Sequence, residues 1–477
     1  MKVVLAIPPF NSSRSWGSSR RMKEGTLPAL GVGYLAAELL ARNHEVQLVD
    51  AAAMGLDPQS AADAILEYKP ALVGISCLSV RARGAYALAS ALKSLAPDVT
   101  IVMGGPHVSA TWRSILEQCE AADILVPGEG ELTFADLVDR LETGESYDTI
   151  PGLVFRGPKG TRIETPTPET VYDLDSLRFP TRHMYDHRLY RTLPNQGRRS
   201  PAAMVITSRG CCWAKCTFCY NSREYAVPYR RRTPENVIEE IKYLVHDLGY
   251  REISFWDDNF CVGEKWVSRF CDLLDKENID ITWSAEAHVR TATKAMFERM
   301  AASGCYNLFF GIESGNPETL LLLNKGFTLD ECREAISWAK NAGFEVRCSY
   351  MLGLPQETRE MAENTIRFAC ELNTTYAHFV PYHIWPHTAL EQFALEHGRE
   401  VTWNEDLLSA SYIPNTFNSL EEVQELVDSA FKRYYLRPRY IMAALLALRH
   451  PSQIRRAVTG FRFWLRFISE RRKMNAG

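Results

Sequence analysis

Thr207-Ser208-Arg209-Gly210-Cys211-Cys212-Trp213-Ala214-Lys215-Cys216-Thr217-Phe218-Cys219-Tyr220 gathers four of the chain's 12 cysteines into nine residues, and the other eight are scattered singly. Within the run Cys212, Cys216 and Cys219 are spaced C-x3-C-x2-C. Three thiolates on so short a loop can converge on one iron-sulfur cube and leave its fourth iron open to substrate or cofactor. Zinc prefers four ligands in two Cys or Cys/His pairs. No second pair lies nearby, and the next histidine along the chain is His246. Cys211 would give C-x4-C, so Cys212 is taken as the first ligand and Cys211 as a packing or supporting thiol.

The run follows a strand-like segment, residues 203–207, and five more such segments come after it at 252–256, 281–285, 307–311, 345–351 and 377–383. Helical patterns such as 234–248, 264–276 and 329–342 lie between them. Six βα units predict a barrel or partial barrel whose site lies at the carboxyl ends of its strands. The cysteine run sits at that end of the first strand. Asp257 and Asp258, after the second, point to opposite faces, so only one can face a ligand. Glu286 and Arg290 follow the third strand, where they line the mouth or form a surface ion pair. His378, His383 and His387 accompany the sixth strand. His383 is a candidate acid/base or substrate contact, against a structural, hydrogen-bonded role.

Upstream, apolar segments at 3–7, 45–49, 71–76, 100–103 and 123–126 alternate with helical patterns at 33–41, 60–69 and 85–95. Continuously apolar strands mean a sheet buried on both faces, hence a parallel doubly wound sheet. Pro8-Pro9-Phe10, Ser76-Cys77-Leu78, Gly104-Gly105-Pro106-His107 and Gly128-Glu129-Gly130-Glu131 fall just past strand ends, where open α/β sheets bind ligands. Tight βα turns would explain the same glycines. No G-x-G-x-x-G follows the first strand, which disfavours a nicotinamide cofactor. His107 either meets a ligand or caps the following helix. Residues 157–180, rich in Pro and Thr, read as a linker, and after Val401 no strand pattern is convincing.

The 477 residues correspond to about three domains at about 150 each. With 46% hydrophobic and 23% charged residues the composition is that of a globular protein. The formal charge of −4 gives no general drive toward nucleic acid. It is unevenly placed: residues 449–477 carry eight Lys/Arg against one Glu. There Ile454, Val458, Phe461, Leu465 and Ile468 form one apolar stripe, and such a helix lies on an anionic membrane surface or docks on the protein itself. The opening Met1-Lys2-Val3-Val4-Leu5-Ala6-Ile7 meets Pro8-Pro9 too soon for a secretion signal. No apolar run approaches the roughly 20 residues that span a bilayer. A soluble, cytoplasmic protein in a reducing compartment, with peripheral membrane contact through its tail, is expected.

C-x3-C-x2-C with Phe218 before the last cysteine, after the first strand of a six-unit barrel, resembles the radical S-adenosylmethionine superfamily. Residues 253–260 (ISFWDDNF) resemble its second-strand segment, which meets the methionyl amine of S-adenosylmethionine. Residues 310–315 (FGIESG) resemble the fourth-strand motif facing the carboxylate and ribose, and 351–357 (MLGLPQE) the fifth-strand motif near the adenine. The resemblance implies Cys212, Cys216 and Cys219 as ligands of a 4Fe-4S cluster, and Phe218, Asp257, Asp258, Glu313, Ser314 and Gly353 as contacts of S-adenosylmethionine. The N-terminal motifs, with residues 30–35 (LGVGYL), are similar to the cobalamin (B12)-binding domain of the branch that holds C-methyltransferases, hopanoid-associated enzymes and the anaerobic magnesium-protoporphyrin ester cyclase. That implies cobalamin contacts at Pro8, Pro9, Ser76, Gly104, Gly105, His107, Gly128 and Glu129. The cobalt-ligating D-x-H-x-x-G has no counterpart: Pro8-Pro9-Phe10-Asn11-Ser12-Ser13 stands in its place, and Asp50-Ala51-Ala52-Ala53-Met54-Gly55 has alanine for histidine.

The expected organisation is a B12-binding domain (1–147), a linker (148–200), a partial (βα)6 radical barrel (201–400) and a helical C-terminal extension (401–477). The family implies reductive cleavage of S-adenosylmethionine to a 5′-deoxyadenosyl radical and methylation of an unactivated carbon. The alternatives are cyclisation or rearrangement without methyl transfer, and a non-catalytic metal-binding module. Partners would be a small-molecule or lipid-like substrate and a reductase, flavodoxin or ferredoxin as electron donor, with no nucleic acid.

Overall fold

A computed structural model describes residues 1–10, 27–190, 192, 197–222, 227–401 and 407–446. The apolar stripe between Ile454 and Ile468, and the basic residues around it, therefore lie outside the described residues. The chain divides into two compact units, Met1–Arg191 and Thr192–Gly477.

The first unit is built on strands β1 (Lys2–Ile7), β2 (Glu45–Asp50), β3 (Leu72–Ser76), β4 (Thr100–Gly104) and β5 (Ile124–Val126). They pair in parallel in the order β2-β1-β3-β4-β5. Helices α1 (Leu30–Ala41), α2 (Ala51–Met54), α3 (Pro58–Leu66), α4 (Ala82–Leu95), α5 (Pro106–Gln118) and α6 (Glu131–Thr143) connect and cover them. Val3, Leu5, Ile7, Leu72 and Val102 form one apolar cluster with Val32, Leu39, Phe134 and Val138 of the helices. Strand order reverses between β1 and β3, so the crevice outside their carboxyl ends is the switch point at which such sheets bind ligands.

The sheet continues past β5 into residues read as linker. β6 (Val154–Arg156) and β7 (Arg162–Glu164) add antiparallel to its edge. Three-residue strands joined through Gly157-Pro158-Lys159-Gly160 are too short to show a period of two, and turn residues dominate their composition. The rest of the segment is strapped down. Thr181 donates its N–H to Gly33 O at 3.0 Å and Tyr185 its hydroxyl to Ala29 O at 2.6 Å. A Cβ on Gly33 would meet Pro180 Cβ at 3.0 Å, so this glycine of the 30–35 motif admits the strap.

The second unit holds six parallel strands in sequential order: β8 (Ala202–Val205), β11 (Glu252–Phe255), β12 (Thr282–Ala287), β13 (Cys305–Glu313), β14 (Glu345–Leu352) and β15 (Tyr376–Pro381). A two-residue antiparallel pair, β9 (Ser208–Arg209) with β10 (Arg230–Arg231), lies between β8 and β11 in the chain. Helices α7 (Pro234–Lys242), α8 (Glu264–Lys276), α9 (Lys294–Ala302), α10 (Pro317–Leu322), α11 (Leu329–Asn341) and α12 (Arg359–Leu372) cover the outer face. Their starts are written locally. Thr233, Thr293 and Thr358 cap α7, α9 and α12, and Thr328 with Glu331 forms a capping box on α11. Phe255, Phe260, Phe270 and Trp283 pack edge-to-face or tilted, with ring centroids 4.8 to 5.7 Å apart, in the core beneath α8. These are the geometries that aromatic quadrupoles favour.

After β15 come α13 (Glu391–Glu396), β16 (Gly398–Glu400), β17 (Tyr412–Pro414), α14 (Leu420–Tyr435) and α15 (Pro438–Leu446). β16 and β17 form an antiparallel ribbon, so residues after Val401 are not wholly helical. Three residues facing a partner across a loop leave no sequence period to detect. The sheet's open edge at β15 is closed by side chains. Tyr435 Oη accepts Ala377 N–H at 3.0 Å and donates to Ala377 O at 2.9 Å, and Tyr440 donates to Thr375 O. An edge covered in this way presents no free template to another chain.

Candidate functional site

The cysteine loop leaves β8 at its carboxyl end and is fixed at three places. At its root Asp257, buried after β11, accepts the backbone N–H and hydroxyl of Thr207 at 3.0 and 2.8 Å and the hydroxyl of Ser208. Gly210 then turns the chain with φ +76°, and a Cβ there would meet Val227 O at 2.5 Å and Pro228 O at 2.8 Å. Further along, Trp213 donates its indole N–H to Asn324 O at 2.8 Å, and Thr217 donates its N–H to Leu323 O and its hydroxyl to Leu322 O. Trp213 lies over Gly326, where a Cβ has no room, and Arg290 stacks on the indole at 5.0 Å while donating to Gly326 O.

Cys212 is exposed, and Cys211, Cys216 and Cys219 are half-buried. Asn259 Nδ2 donates to Cys212 Sγ at 3.5 Å and Asn221 N–H to Cys219 Sγ at 3.4 Å. Such N–H···S contacts orient thiolate ligands and tune the metal they hold. Burial pushes the Cys216 thiol up to about 11, opposed by the Lys325 ammonium. It raises Cys219 as well, opposed by the Asn221 N–H. The adjacent thiols Cys211 and Cys212 share a hydrogen bond that lowers Cys211 and raises Cys212. Among the described residues no three His, Cys, Asp or Glu side chains converge on a single ion. A cube takes one iron per thiol and has no such need, so the three-thiol donor set with its two N–H donors fits a 4Fe-4S cluster.

Across from the loop, β13 ends in a bulge between Gly311 and Glu313, and Glu313 adopts φ +71°. Its carboxylate folds back over Gly311, where a Cβ would collide with it. Glu313 accepts from the buried Lys325 ammonium at 3.4 Å and the Ser349 hydroxyl at 3.3 Å. Lys325 also sits 5.7 Å over the Phe218 ring, and its pKa is raised by Glu313 and Cys216 although burial alone would lower it. Phe218 packs on a cluster of Leu323, Met351, Leu354 and Tyr382. Ser314 is wholly buried, its oxygen shared with Thr365 and Asn316. Gly353 has φ +74° with no room for a Cβ beside Val423, and Gly353 and Leu354 donate their N–H groups to the buried Glu357.

The structure therefore separates the adjacent aspartates: Asp257 is committed to the loop root, and Asp258 faces solvent. His383 has both ring nitrogens engaged, by Ser411 Oγ at 2.7 Å and Leu407 O at 3.1 Å, the structural alternative. Arg290 makes no ion pair with Glu286; it braces Trp213. Sequence reasoning missed Lys325 and the role of Asn259. A lysine in the Leu-rich stretch 320–327 was the signal available for the first, and Asn259's place beside the aspartate pair for the second.

In the first unit Pro8, Pro9, Ser76, Gly104, Gly105, Gly128 and Glu129 all lie at the carboxyl ends of β1, β3, β4 and β5 or directly after them. Gly105 has φ +99°, and a Cβ there would press on Cys77 O at 3.0 Å. Gly128, with φ +86° and open space around it, donates its N–H to Ser109 Oγ. Bare glycine backbone after β4 and β5, on the same edge of the sheet as the switch point between β1 and β3, fits a large flat cofactor. His107 is internally engaged, with Tyr86 Oη at 3.0 Å, Ser79 Oγ at 3.1 Å and Thr111 Oγ1 at 3.3 Å, and burial lowers its pKa to about 4.

Residues 205–369 match the family model of the radical SAM superfamily, and residues 23–138 that of the B12 binding domain. The uncharacterized methyltransferase PH0819 of Pyrococcus horikoshii is 32% identical over 96% of this chain and 98% of its own. The anaerobic magnesium-protoporphyrin IX monomethyl ester cyclase of Rubrivivax gelatinosus is 27% identical over 77% of this chain and 66% of its own. The radical S-adenosylmethionine methyltransferase TsrM from Kitasatospora setae, solved with cobalamin and a 4Fe-4S cluster bound, shares the fold with a TM-score of 0.68 at 16% identity, over 89% of this chain and 81% of that one. With a cysteine loop on a half-barrel, a B12-type sheet ahead of it and a relative matched nearly end to end, the chain belongs to the radical S-adenosylmethionine enzymes that carry an N-terminal B12-binding domain.

Proposed function

We propose that the protein is a cobalamin-dependent radical S-adenosylmethionine C-methyltransferase. The observation that carries this is the loop of Cys212, Cys216 and Cys219, held open at the strand ends by Gly210 and Asp257, with N–H donors on two of its sulfurs. When bound, the cluster and S-adenosylmethionine supply a 5′-deoxyadenosyl radical able to take hydrogen from an unactivated carbon, and cobalamin supplies a methyl carrier.

The chain's own residues bind and orient. Cys212, Cys216 and Cys219 would ligate the cluster, with the Lys325 ammonium offsetting the charge of the thiolates. Asp258, Glu313, Phe218 and the Gly353 backbone would meet S-adenosylmethionine, while Asp257 and Ser314 act through the backbone they hold. Pro8, Pro9, Ser76, Gly104, Gly105, Gly128 and Glu129 would cradle cobalamin, and His107 positions α4 and α5 behind them. No histidine occupies the place of the cobalt ligand, so a cobalt bound here would lack one from that motif.

We assign residues 1–147 to the B12-binding domain, 201–400 to the barrel and 401–477 to a C-terminal extension. A one-electron donor of the flavodoxin or ferredoxin kind would reduce the cluster. None of the twelve cysteines is paired in a disulfide, which supports a reducing, cytoplasmic setting. Among the described residues no helix is long and apolar enough to cross a membrane. The stripe from Ile454 to Ile468 supports peripheral contact with an anionic bilayer. The test is product analysis: reduced holoenzyme with substrate should release 5′-deoxyadenosine and S-adenosylhomocysteine in about equal amounts. Deoxyadenosine with methionine alone would overturn methyl transfer in favour of cyclisation or rearrangement.

A further inference from the structure

Strand register fixes which side chains face into the half-barrel. Ser284 pairs with Asn307, Glu286 with Phe309, Phe309 with Arg347, and Ser349 with His378. The alternate residues Ala285, Leu308, Phe310, Val346, Cys348, Ala377 and Phe379 belong to the apolar core on the outer face. Because successive side chains on a strand point to opposite faces, Glu286, Asn307, Phe309, Arg347 and His378 share the inner face.

Two carboxylates on this face contrast sharply. Glu252, at the amino ends of the strands, is buried and fully used: it accepts from Arg198 N and Arg199 N at 2.6 Å, Tyr306 Oη at 2.6 Å and Thr282 Oγ1 at 3.1 Å. Those bonds plug the lower end of the barrel. The Glu286 carboxylate, higher up, makes no hydrogen bond or close ion pair among the described residues, and burial raises its pKa to about 7 although the charge of Arg347 opposes this. The buried Arg347 gives its Nε to Asn307 Oδ1 at 2.7 Å and lies 5.2 Å over the Phe309 ring, while its two terminal nitrogens reach no protein acceptor among the described residues. Asn307, with no exposed surface, has its Nδ2 unpartnered, and the buried Nε2 of His378 is unpartnered too. Native interiors leave few such groups unpaired, because each costs about 1–3 kcal/mol. Several together are one half of an interaction.

We infer that Arg347, held through its Nε by Asn307 Oδ1, presents both terminal nitrogens to an oxyanion of the substrate, a carboxylate or a phosphate, while Glu286 on the other side of Phe309 accepts from an N–H or O–H of the same molecule. Burial and Arg347 lower His378 to about 4, so it is a neutral partner at pH 7. Ser349, which hydrogen-bonds Glu313, stands two residues along the strand from Arg347, on the same face and nearer the carboxyl ends. The substrate thus lies with its anionic end toward the Glu252 plug and its reacting carbon toward Glu313 and the cysteine loop. The inference rests on the proposed reaction for what enters the barrel, and it narrows a lipid-like substrate to one with an anionic end.

The test is anion binding to the cluster-reconstituted full chain by calorimetry, with inorganic phosphate and acetate as separate probes. At least one should bind saturably, and which one does separates a phosphate from a carboxylate. Binding should weaken tenfold or more in Arg347→Gln and be partly restored in Arg347→Lys, because a point charge lacks the bidentate fork. Asn307→Leu, which keeps the charge, should weaken it severalfold, so a folding defect in Arg347→Gln leaves the claim testable. Saturable binding of neither anion, or wild-type affinity in Asn307→Leu and Arg347→Gln, overturns the inference. Deoxyadenosine formation by the wild-type protein is read separately: binding without it would sink the radical reading and spare the anchor, and the reverse would sink only the anchor.

Discussion

Replacing Gly210 by alanine isolates the geometry of the cysteine loop without touching a ligand. Gly210 sits at φ +76°. There an L-residue costs about 1–2 kcal/mol more than glycine. The new Cβ would also stand 2.5 Å from Val227 O, 2.8 Å from Pro228 O and 3.0 Å from Pro228 C, all backbone. That backbone leads directly into β10, whose pairing with β9 holds the loop's other arm, so it cannot retreat freely. Overpacking of this kind adds about 1–3 kcal/mol. The sum, about 2–5 kcal/mol, is below the about 5–15 kcal/mol of a folded domain. The barrel should therefore stay folded while the loop is displaced. Circular dichroism should show native secondary structure and a melting point lowered by several degrees, and iron per chain after anaerobic reconstitution should fall well below wild type. Wild-type iron content together with wild-type deoxyadenosine formation would refute the claim that this turn sets the cluster site.

Glu357 should leave a signature in the pH dependence of stability. Burial pushes its carboxyl up to about 8, above the ordinary value of about 4.3. The folded state then holds a proton that the unfolded state has lost, so this group's contribution falls as pH rises from about 4.5 to about 8. Glu357→Gln cannot titrate, and the melting point of wild type minus that of the variant should drop across that window; a constant or growing difference would contradict the assignment. Tyr435→Phe deletes the hydroxyl that serves both backbone groups of Ala377 on the edge strand. It should cost about 1–3 kcal/mol, read as a lower melting point with the cluster spectrum unchanged. The ion pair of Arg232 with Glu240 is almost fully buried at 2.6 Å. Arg232→Met alone should destabilise by about 3–5 kcal/mol, and adding Glu240→Leu should recover much of it, which a double-mutant cycle measures.

Strand segment 3–7 was legible because a continuous apolar run stopped by Pro8-Pro9 has few other readings, and 252–256 and 345–351 because β-formers such as Ile253, Phe255, Val346 and Tyr350 alternate with polar residues between helical patterns. The cysteine spacing was legible because three thiols so close together have a specific use. What stayed hidden depends on contacts between distant residues. Neither β6–β7 nor β16–β17 is long enough to carry a period. Asp257 and Asp258 look equivalent until Thr207 and Ser208 are seen to claim one of them. Lys325, Asn307, Arg347 and His378 stand on separate elements, far apart in the chain. Only parallel register brings the last three onto one face with Glu286, a glutamate the sequence offered either as a residue lining the mouth or as half of a surface ion pair.

The central claim is that one chain holds both cofactors. After anaerobic purification, cluster reconstitution and cobalamin supplementation, metal analysis with a visible spectrum should find about four irons and about one cobalt per chain. Replacing Cys212, Cys216 and Cys219 together by alanine should abolish the iron and leave the cobalt. Zinc in place of iron, or iron without cobalt, would contradict it.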